Sequence, residues 1–175
     1  MKRLTFPILA ILVLAGCSKE DVAGPDPNIQ GQYNIYLSGD RNETYENGKV
    51  TLWNPGPNGD IITLGPEEAG QGIDPDDPTA QLTIIFLNDG QNGDQQDIVQ
   101  VTLRTKEMAQ GSYTHQFEYE GQTSPANCPV QSGLLIQESG DNFIRGAYCF
   151  ELELFAGGAD ETITVQGNFI AISPF

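Results

Sequence analysis

Ser112-Tyr113-Thr114-His115-Gln116-Phe117-Glu118-Tyr119-Glu120 alternates without a break. Tyr113, His115, Phe117 and Tyr119 fall on one side, and Thr114, Gln116, Glu118 and Glu120 fall on the other. Successive side chains of an extended chain point to opposite faces, so this stretch reads as a strand with one face buried and one wet. The pattern continues downstream. Ser132 to Glu138 is joined by the turn Ser139-Gly140-Asp141-Asn142 to a long strand, Phe143 to Phe155. In that strand Ile144, Tyr148, Phe150, Leu152 and Leu154 share a face and Cys149 points the other way. Gly157-Gly158-Ala159-Asp160 then turns the chain into Thr162 to Ile172, where Gly167 is the expected site of a bulge.

Upstream the same period recurs. Tyr33, Ile35 and Leu37 alternate with polar positions. Thr44 to Trp53 is interrupted by Asn47-Gly48, the dipeptide that supplies two positive φ values to a two-residue hairpin. Further strands are expected at Ile61 to Leu64, Gln81 to Leu87 and Ile98 to Thr105, the last with Val99, Val101 and Leu103 on one face. No segment after residue 31 sustains an apolar period of 3.6. The expectation is an all-β fold of about eight or nine antiparallel strands joined by local turns. It closes as a β-sandwich, the favoured form, or as a small lipocalin-like β-barrel.

The N-terminus is of another kind. Lys2 and Arg3 precede an apolar run from Leu4 to Ala15, interrupted only by Thr5 and Pro7. A bilayer-spanning helix takes about 20 apolar residues, and this run is shorter. A charged start, a short apolar run and small residues at its end describe a secretory signal. Leu14-Ala15-Gly16-Cys17 resembles the lipobox of bacterial lipoproteins. The resemblance implies that Cys17 takes a diacylglycerol thioether and becomes the first residue after residues 1–16 are removed. Several acyl chains on one residue give stable anchoring, each buried methylene contributing about 0.8 kcal/mol. The Pro-, Gly- and Asp-rich stretch that follows to Gly31 reads as a flexible tether, so that residues 17–31 link the anchor to a single domain at 32–175.

Ser18-Lys19-Glu20-Asp21 resembles the export signal of surface lipoproteins in the Bacteroidota. This implies an outer-membrane protein facing outward; a plain polar spacer, with the domain facing the periplasm, is the other reading. Gly146 to Phe150 and Val165-Gln166-Gly167-Asn168-Phe169 are similar to the C-terminal half of small uncharacterised surface lipoproteins of the Bacteroidota. That likeness covers residues 111 to 172, implies no activity and carries over no functional residue.

The whole chain holds 24 acidic and 8 basic side chains. Removing the segment with Lys2 and Arg3 leaves 6 basic against 24 acidic, a net charge of about −18. Such a field repels phosphate backbones, which excludes a nucleic-acid partner. Solubility alone accounts for the acids as well as any specific cation or basic partner does. Cys128 and Cys149 are the cysteines left after Cys17 is acylated, and an exported protein meets an oxidising compartment, so they are expected to pair. Two free thiols or half of a metal site are the alternatives, and neither has the usual accompanying residues.

Candidate sites are few. His115 stands among three aromatics and reads first as a core residue, and no G-x-S-x-G accompanies it to suggest a nucleophilic triad. Two acid-rich loops could hold a structural Ca²⁺, one with Asp74, Asp76 and Asp77 and one with Asp89 and Asp94. Set on the Ca²⁺-loop template from Asn88, Gly93 meets the glycine position, but Gly90 and Val99 fail the ligand positions. Ordinary turns explain the same residues. Glycosidase chemistry needs two carboxylates at a set separation, which a sequence does not measure, and no pair is nominated. Trp53, beside Asn54-Pro55-Gly56-Pro57-Asn58, is either a sugar-stacking platform or a cap on the core at a hairpin end.

The function expected from these residues is that of a membrane-anchored, non-enzymatic lipoprotein whose β-domain binds a glycan or another envelope component. No cofactor is required for it. One alternative is a barrel that carries a small apolar ligand, lined by Tyr113, Phe117 and Tyr119. The other is a structural envelope protein.

Overall fold

A computed structural model describes residues 29–66, 80–87, 96–106, 113–119, 128, 133–154 and 161–174. Cys17, residues 18–28 of the tether and the acids Asp74, Asp76, Asp77, Asp89 and Asp94 lie outside the described residues. The described chain forms β1 (Gln32–Gly39), β2 (Glu43–Gly48), β3 (Thr51–Asn54), β4 (Asp60–Leu64) and β5 (Ala80–Leu87), followed by β6 (Asp97–Lys106), β7 (Tyr113–Glu118), β8 (Leu134–Ser139), β9 (Phe143–Leu154) and β10 (Thr162–Ile172). All of them belong to one antiparallel sheet in the order β2-β1-β10-β9-β7-β6-β5-β4-β3, with β8 paired to β9. The all-β, antiparallel expectation holds.

The sheet is nearly closed into a barrel, the second of the two forms expected. Its two edges, β2 and β3, are consecutive in the chain, separated only by Lys49 and Val50. One bent stretch therefore pairs with β1 through its first half and with β4 through its second. Strands β7 and β8 share one edge of β9 in the same way. Phe117 and Glu118 face Leu154 and Glu153, and further along Leu134 to Ser139 face Tyr148 to Ile144. On the far side of β8, Gln96 donates its N–H to the Leu134 carbonyl at 3.2 Å. The ten strands thus act as eight staves, each antiparallel to the next in sequence, with β10 meeting β1.

Asn47-Gly48 does not make the expected hairpin. Asn47 alone takes a positive φ, 61°. The register slips there, since Tyr33 faces Gly48 while Ile35 faces Tyr45. The dipeptide forms a bulge that bends the stave from one partner to the next. Val99 is a second departure, 58% exposed instead of facing the core. The register slips at its position, where Ile85 faces Gln100 and Phe86 faces Ile98.

Gly167 is not a bulge, because both of its ladders run through it in register, with Tyr148 on one side and Ile35 on the other. It is a seat for a ring. The Tyr148 side chain lies over Gly167 and donates its hydroxyl to the Asn34 carbonyl one strand further on, at 2.8 Å. Gly146 sits directly across from Phe169, and Gly48 across from Tyr33. In each pair a Cβ on the glycine would collide with the ring. Three inward aromatics are thus laid across neighbouring strands, a cross-strand arrangement that covers the glycines and pins register.

The interior is filled. Tyr148 stacks 6.2 Å from Phe150 and lies 6.3 Å from Phe169, and Tyr119 meets Phe150 edge-on at 5.6 Å. Around them pack Ile35, Ile62, Leu82, Ile84, Leu103 and Phe117, all buried. At one end Arg41 closes the core. Its guanidinium lies 5.5 Å above the Phe117 ring and pairs with Glu161 at 2.8 Å. At the other end, where the tether joins β1, the plug is Trp53.

Candidate functional site

Alternation that turns Tyr33, Ile35 and Leu37 into the core turns Gln32, Asn34 and Tyr36 outward. On β10 the same phase exposes Gln166 and Asn168, and on β9 Arg145 and Ala147. These strands are neighbours, so the outer wall carries a groove of about 540 Å³ across β8, β9, β10 and β1. Its floor is Gly146, Ala147 and Gly167. Two of these are the glycines that seat Phe169 and Tyr148 from inside. On the inward phase they leave room for a ring inside, and outside they present backbone, as any inward-phase residue does.

Apart from Arg145, the polar side chains of the walls are neutral. Gln32, Gln137, Gln166 and Asn168 bring primary amides, each able to donate and accept, and Tyr36 brings an aromatic ring. Asn34 Nδ2 donates to Asn168 Oδ1 at 3.0 Å, which fixes the Asn168 amide with its N–H groups free to turn outward. The Tyr36 hydroxyl donates to Glu46 Oε1 at 3.1 Å. Loss of hydration and then the Glu46 carboxylate raise the Tyr36 pKa above its ordinary value, so the phenol stays neutral. Arg145 is tied to Glu138 at 2.8 Å. No acidic side chain lines the groove. An arrangement of amides and one phenol around a flat floor can bind hydroxyl-rich ligands by paired donors and acceptors.

The residues singled out from the sequence fall elsewhere. Trp53 is 7% exposed and offers no stacking face. Its indole N–H donates to Asp60 Oδ2 at 3.0 Å, and Asp60 Oδ1 also accepts from the Gly56 N–H at 3.3 Å. The tryptophan caps the core and the buried carboxylate folds the β3–β4 turn around it. Cys128 and Cys149 form a disulfide, with Cα atoms 5.6 Å apart. Cys149 is on the outward phase of β9 and buried. Beside it the Cys149 N–H bonds to the Gly133 carbonyl at 2.9 Å, so the bridge staples the β7–β8 connection to the barrel wall.

His115 is half-buried at the Arg41 end, its Nδ1 3.2 Å from Arg41 Nη2. Phe117 packs beneath that guanidinium and Tyr119 packs on Phe150. The Tyr113 side chain lies outside the described residues, as do the acid-rich loops. Among the described residues no three His, Cys, Asp or Glu side chains converge as metal ligands would.

The groove residues were not legible as a site. The one signal is Tyr36, an aromatic on the polar phase of a strand whose core phase is already filled by Tyr33, Ile35 and Leu37. The small run Gly146-Ala147 and the flanked Gly167 become meaningful only when β9 and β10 are known to be adjacent.

Residues 1–18 match the family model of the prokaryotic membrane lipoprotein lipid attachment site. No curated protein and no solved structure matches the chain. The chain therefore carries the attachment site of a lipoprotein held to a membrane through lipid.

Proposed function

We propose that this lipid-anchored barrel is a non-enzymatic glycan-binding module of the outer membrane, facing outward, with its ligand in the groove across β8, β9, β10 and β1. The observation that carries the reading is the contrast between the two sides of the wall. Inside, Tyr148, Phe169 and their neighbours fill the space a carried ligand would use. Outside, the same glycines floor a groove of about 540 Å³, within the size range of small-molecule sites, walled by neutral amides and Tyr36. Amides and a tyrosine edge suit an uncharged sugar. The Lys19-Glu20-Asp21 signal behind Cys17 supports the outward orientation.

The test is calorimetry of the acylated protein in detergent against a panel of neutral oligosaccharides. Ala147→Gln fills the floor from the outward phase without entering the core, and Tyr36→Ala removes the aromatic edge. Each is expected to weaken the best ligand at least about tenfold, the worth of one or two lost hydrogen bonds. Absence of binding across the panel, turnover of a sugar, or affinity unchanged in both variants refutes the reading. Protease accessibility on whole cells tests the leaflet: replacing Lys19, Glu20 and Asp21 with alanine is expected to protect the domain.

A further inference from the structure

The wall formed by β4, β5, β6 and β7 carries a second hollow, of about 430 Å³, built from different chemistry. Register places its residues in rows. Thr63 faces Thr83 and Thr83 faces Thr102, a ladder of three hydroxyls across three strands, spaced about 4.8 Å apart as hydrogen-bonded strands are. In the next row Gln81 faces Arg104 and Arg104 faces Gln116, so the guanidinium stands between two amides. Gln100 joins the first row by donating to Thr102 Oγ1 at 3.3 Å.

Three observations mark this hollow as a binding site. Thr63 and Gln81 point away from the core yet are only 9% and 6% exposed. Gln81 lines the hollow, and its amide is not one of the sealed polar groups that lack a partner. Among the described residues Arg104 makes no ion pair, while Arg41 is held by Glu161 and Glu43 and Arg145 by Glu138. Among the described residues no acidic side chain lines this hollow, although Glu118 faces Thr102 beside it. Arg104 is thus, among the described residues, a cation without a carboxylate partner.

We propose that this hollow binds a saccharide bearing a single carboxylate, a uronate unit, with Arg104 taking the carboxylate and the flanking amides and threonine hydroxyls taking the ring hydroxyls. The guanidinium fork matches a carboxylate in two parallel hydrogen bonds. Gln81, Gln116 and the hydroxyl ladder each donate and accept, which a polyhydroxylated ring uses and a bare carboxylate does not. A polyanion is disfavoured by the net charge of −16. It would also meet Glu118, which continues the threonine ladder opposite Thr102 and accepts from Gln116 Nε2 at 3.0 Å. The site is separate from the groove across β8, β9, β10 and β1, and its ligand is told apart by charge.

The probe is a disaccharide of one uronate and one neutral sugar, titrated into the acylated protein in detergent beside the fully neutral disaccharide of the same linkage and beside acetate. With the other groove disabled by Ala147→Gln, the uronate is expected to bind at least tenfold more tightly than its neutral counterpart, and acetate at equal concentration is expected not to displace it. Arg104→Gln keeps hydrogen-bonding capacity and removes the charge, and should weaken the uronate about 10- to 100-fold. Thr102→Val, nearly isosteric, should weaken it several-fold, and Tyr36→Ala should leave it unchanged. Failure of the uronate to bind, equal binding of the neutral sugar, displacement by acetate, insensitivity to Arg104→Gln, or loss through Tyr36→Ala would each overturn the assignment. Both Arg104→Gln and Thr102→Val change the outer wall, so unchanged melting and circular dichroism accompany the expected result.

Discussion

Gly167→Ala isolates the contact on which closure of the barrel depends. The backbone at Gly167 is not in the left-handed region, which is populated here by Gly39, Gly59, Gly65 and Asn47. Alanine therefore fits the local conformation, and stiffening the unfolded chain would even favour folding by about 0.4–1 kcal/mol. The objection to it is space. An added Cβ would stand 2.6 Å from the Tyr148 hydroxyl oxygen and 2.9 Å from its Cζ, with the Asn34 carbonyl closer still. Asn34 belongs to the β1 ladder, so relieving that contact opens the ladder, and the ring is displaced as well. Displacing it costs the Tyr148 to Asn34 hydrogen bond, about 1 kcal/mol. It also costs the stacking on Phe150, about 0.5–1.5 kcal/mol, and overpacking adds about 1–3 kcal/mol. After the entropic credit the net is about 3 kcal/mol, roughly 10 °C in melting temperature for a domain of this size.

The assay is urea unfolding of Gly167→Ala, Tyr148→Phe and the double variant. Tyr148→Phe alone should cost about 1 kcal/mol, because it removes only the hydrogen bond. The double variant should then cost about 1 kcal/mol less than the sum, since both changes forfeit the same bond. Gly167→Ala within about 0.5 kcal/mol of the unchanged protein, or strict additivity, refutes the seat as the reason for glycine.

Three further outcomes follow from the same packing. Replacing Cys128 and Cys149 with serine releases a loop spanning a sequence separation of 21; on the chain-entropy relation this lowers stability by about 3 kcal/mol, read as a shifted urea midpoint. Asp60→Asn keeps the size of the side chain but weakens its bonds to the Trp53 indole and the Gly56 amide. It should cost about 1–2 kcal/mol and shift the emission of the sole tryptophan toward that of an exposed one. Tyr148 and Tyr45 have pKa values raised chiefly by burial, that of Tyr45 also by Glu43. The folded state keeps protons that the unfolded state releases, so this stability is whole below the ordinary tyrosine value of about 10 and falls as pH climbs above it. Ultraviolet titration should show these two phenols ionising together with unfolding, after the exposed ones.

Much of the class was legible because it is local. The alternation from Tyr113 to Tyr119, the turn at Ser139 to Asn142 and the long apolar phase of β9 each specify strand and face without reference to any partner. What escaped is what depends on the partner. Asn47-Gly48 serves equally as a hairpin turn or a bulge, and the choice is made by whether Thr51 to Asn54 finds β2 or β4 beside it. Val99 continues an apolar alternation that the slip against Ile85 and Phe86 turns inside out. Trp53 next to a Pro- and Gly-rich turn suggests an exposed platform until Asp60, seven residues on, is seen to hold its indole N–H. Gly167 resembles a bulge residue because sequence does not show Tyr148 lying across it. The groove is illegible for the same reason, as its floor comes from β9 and β10 and its aromatic edge from β1.

Glycine links the two sides of the wall. Gly146 and Gly167 are on the inward phase of β9 and β10, so they seat rings inside while their backbone alone reaches the exterior. The core and the proposed glycan groove are thus coupled, and substitutions meant for one disturb the other unless they are made at outward positions such as Ala147. Lipid attachment bears on how tight that groove must be. A module held at a membrane in many copies meets a polymeric glycan through many copies of a weak contact, and linked contacts raise overall avidity by about 10² to 10⁴ without strengthening any single one. A shallow site of amides and one tyrosine is sufficient under that arrangement, and a deep enclosed pocket, which the filled interior of this barrel does not provide, is not required.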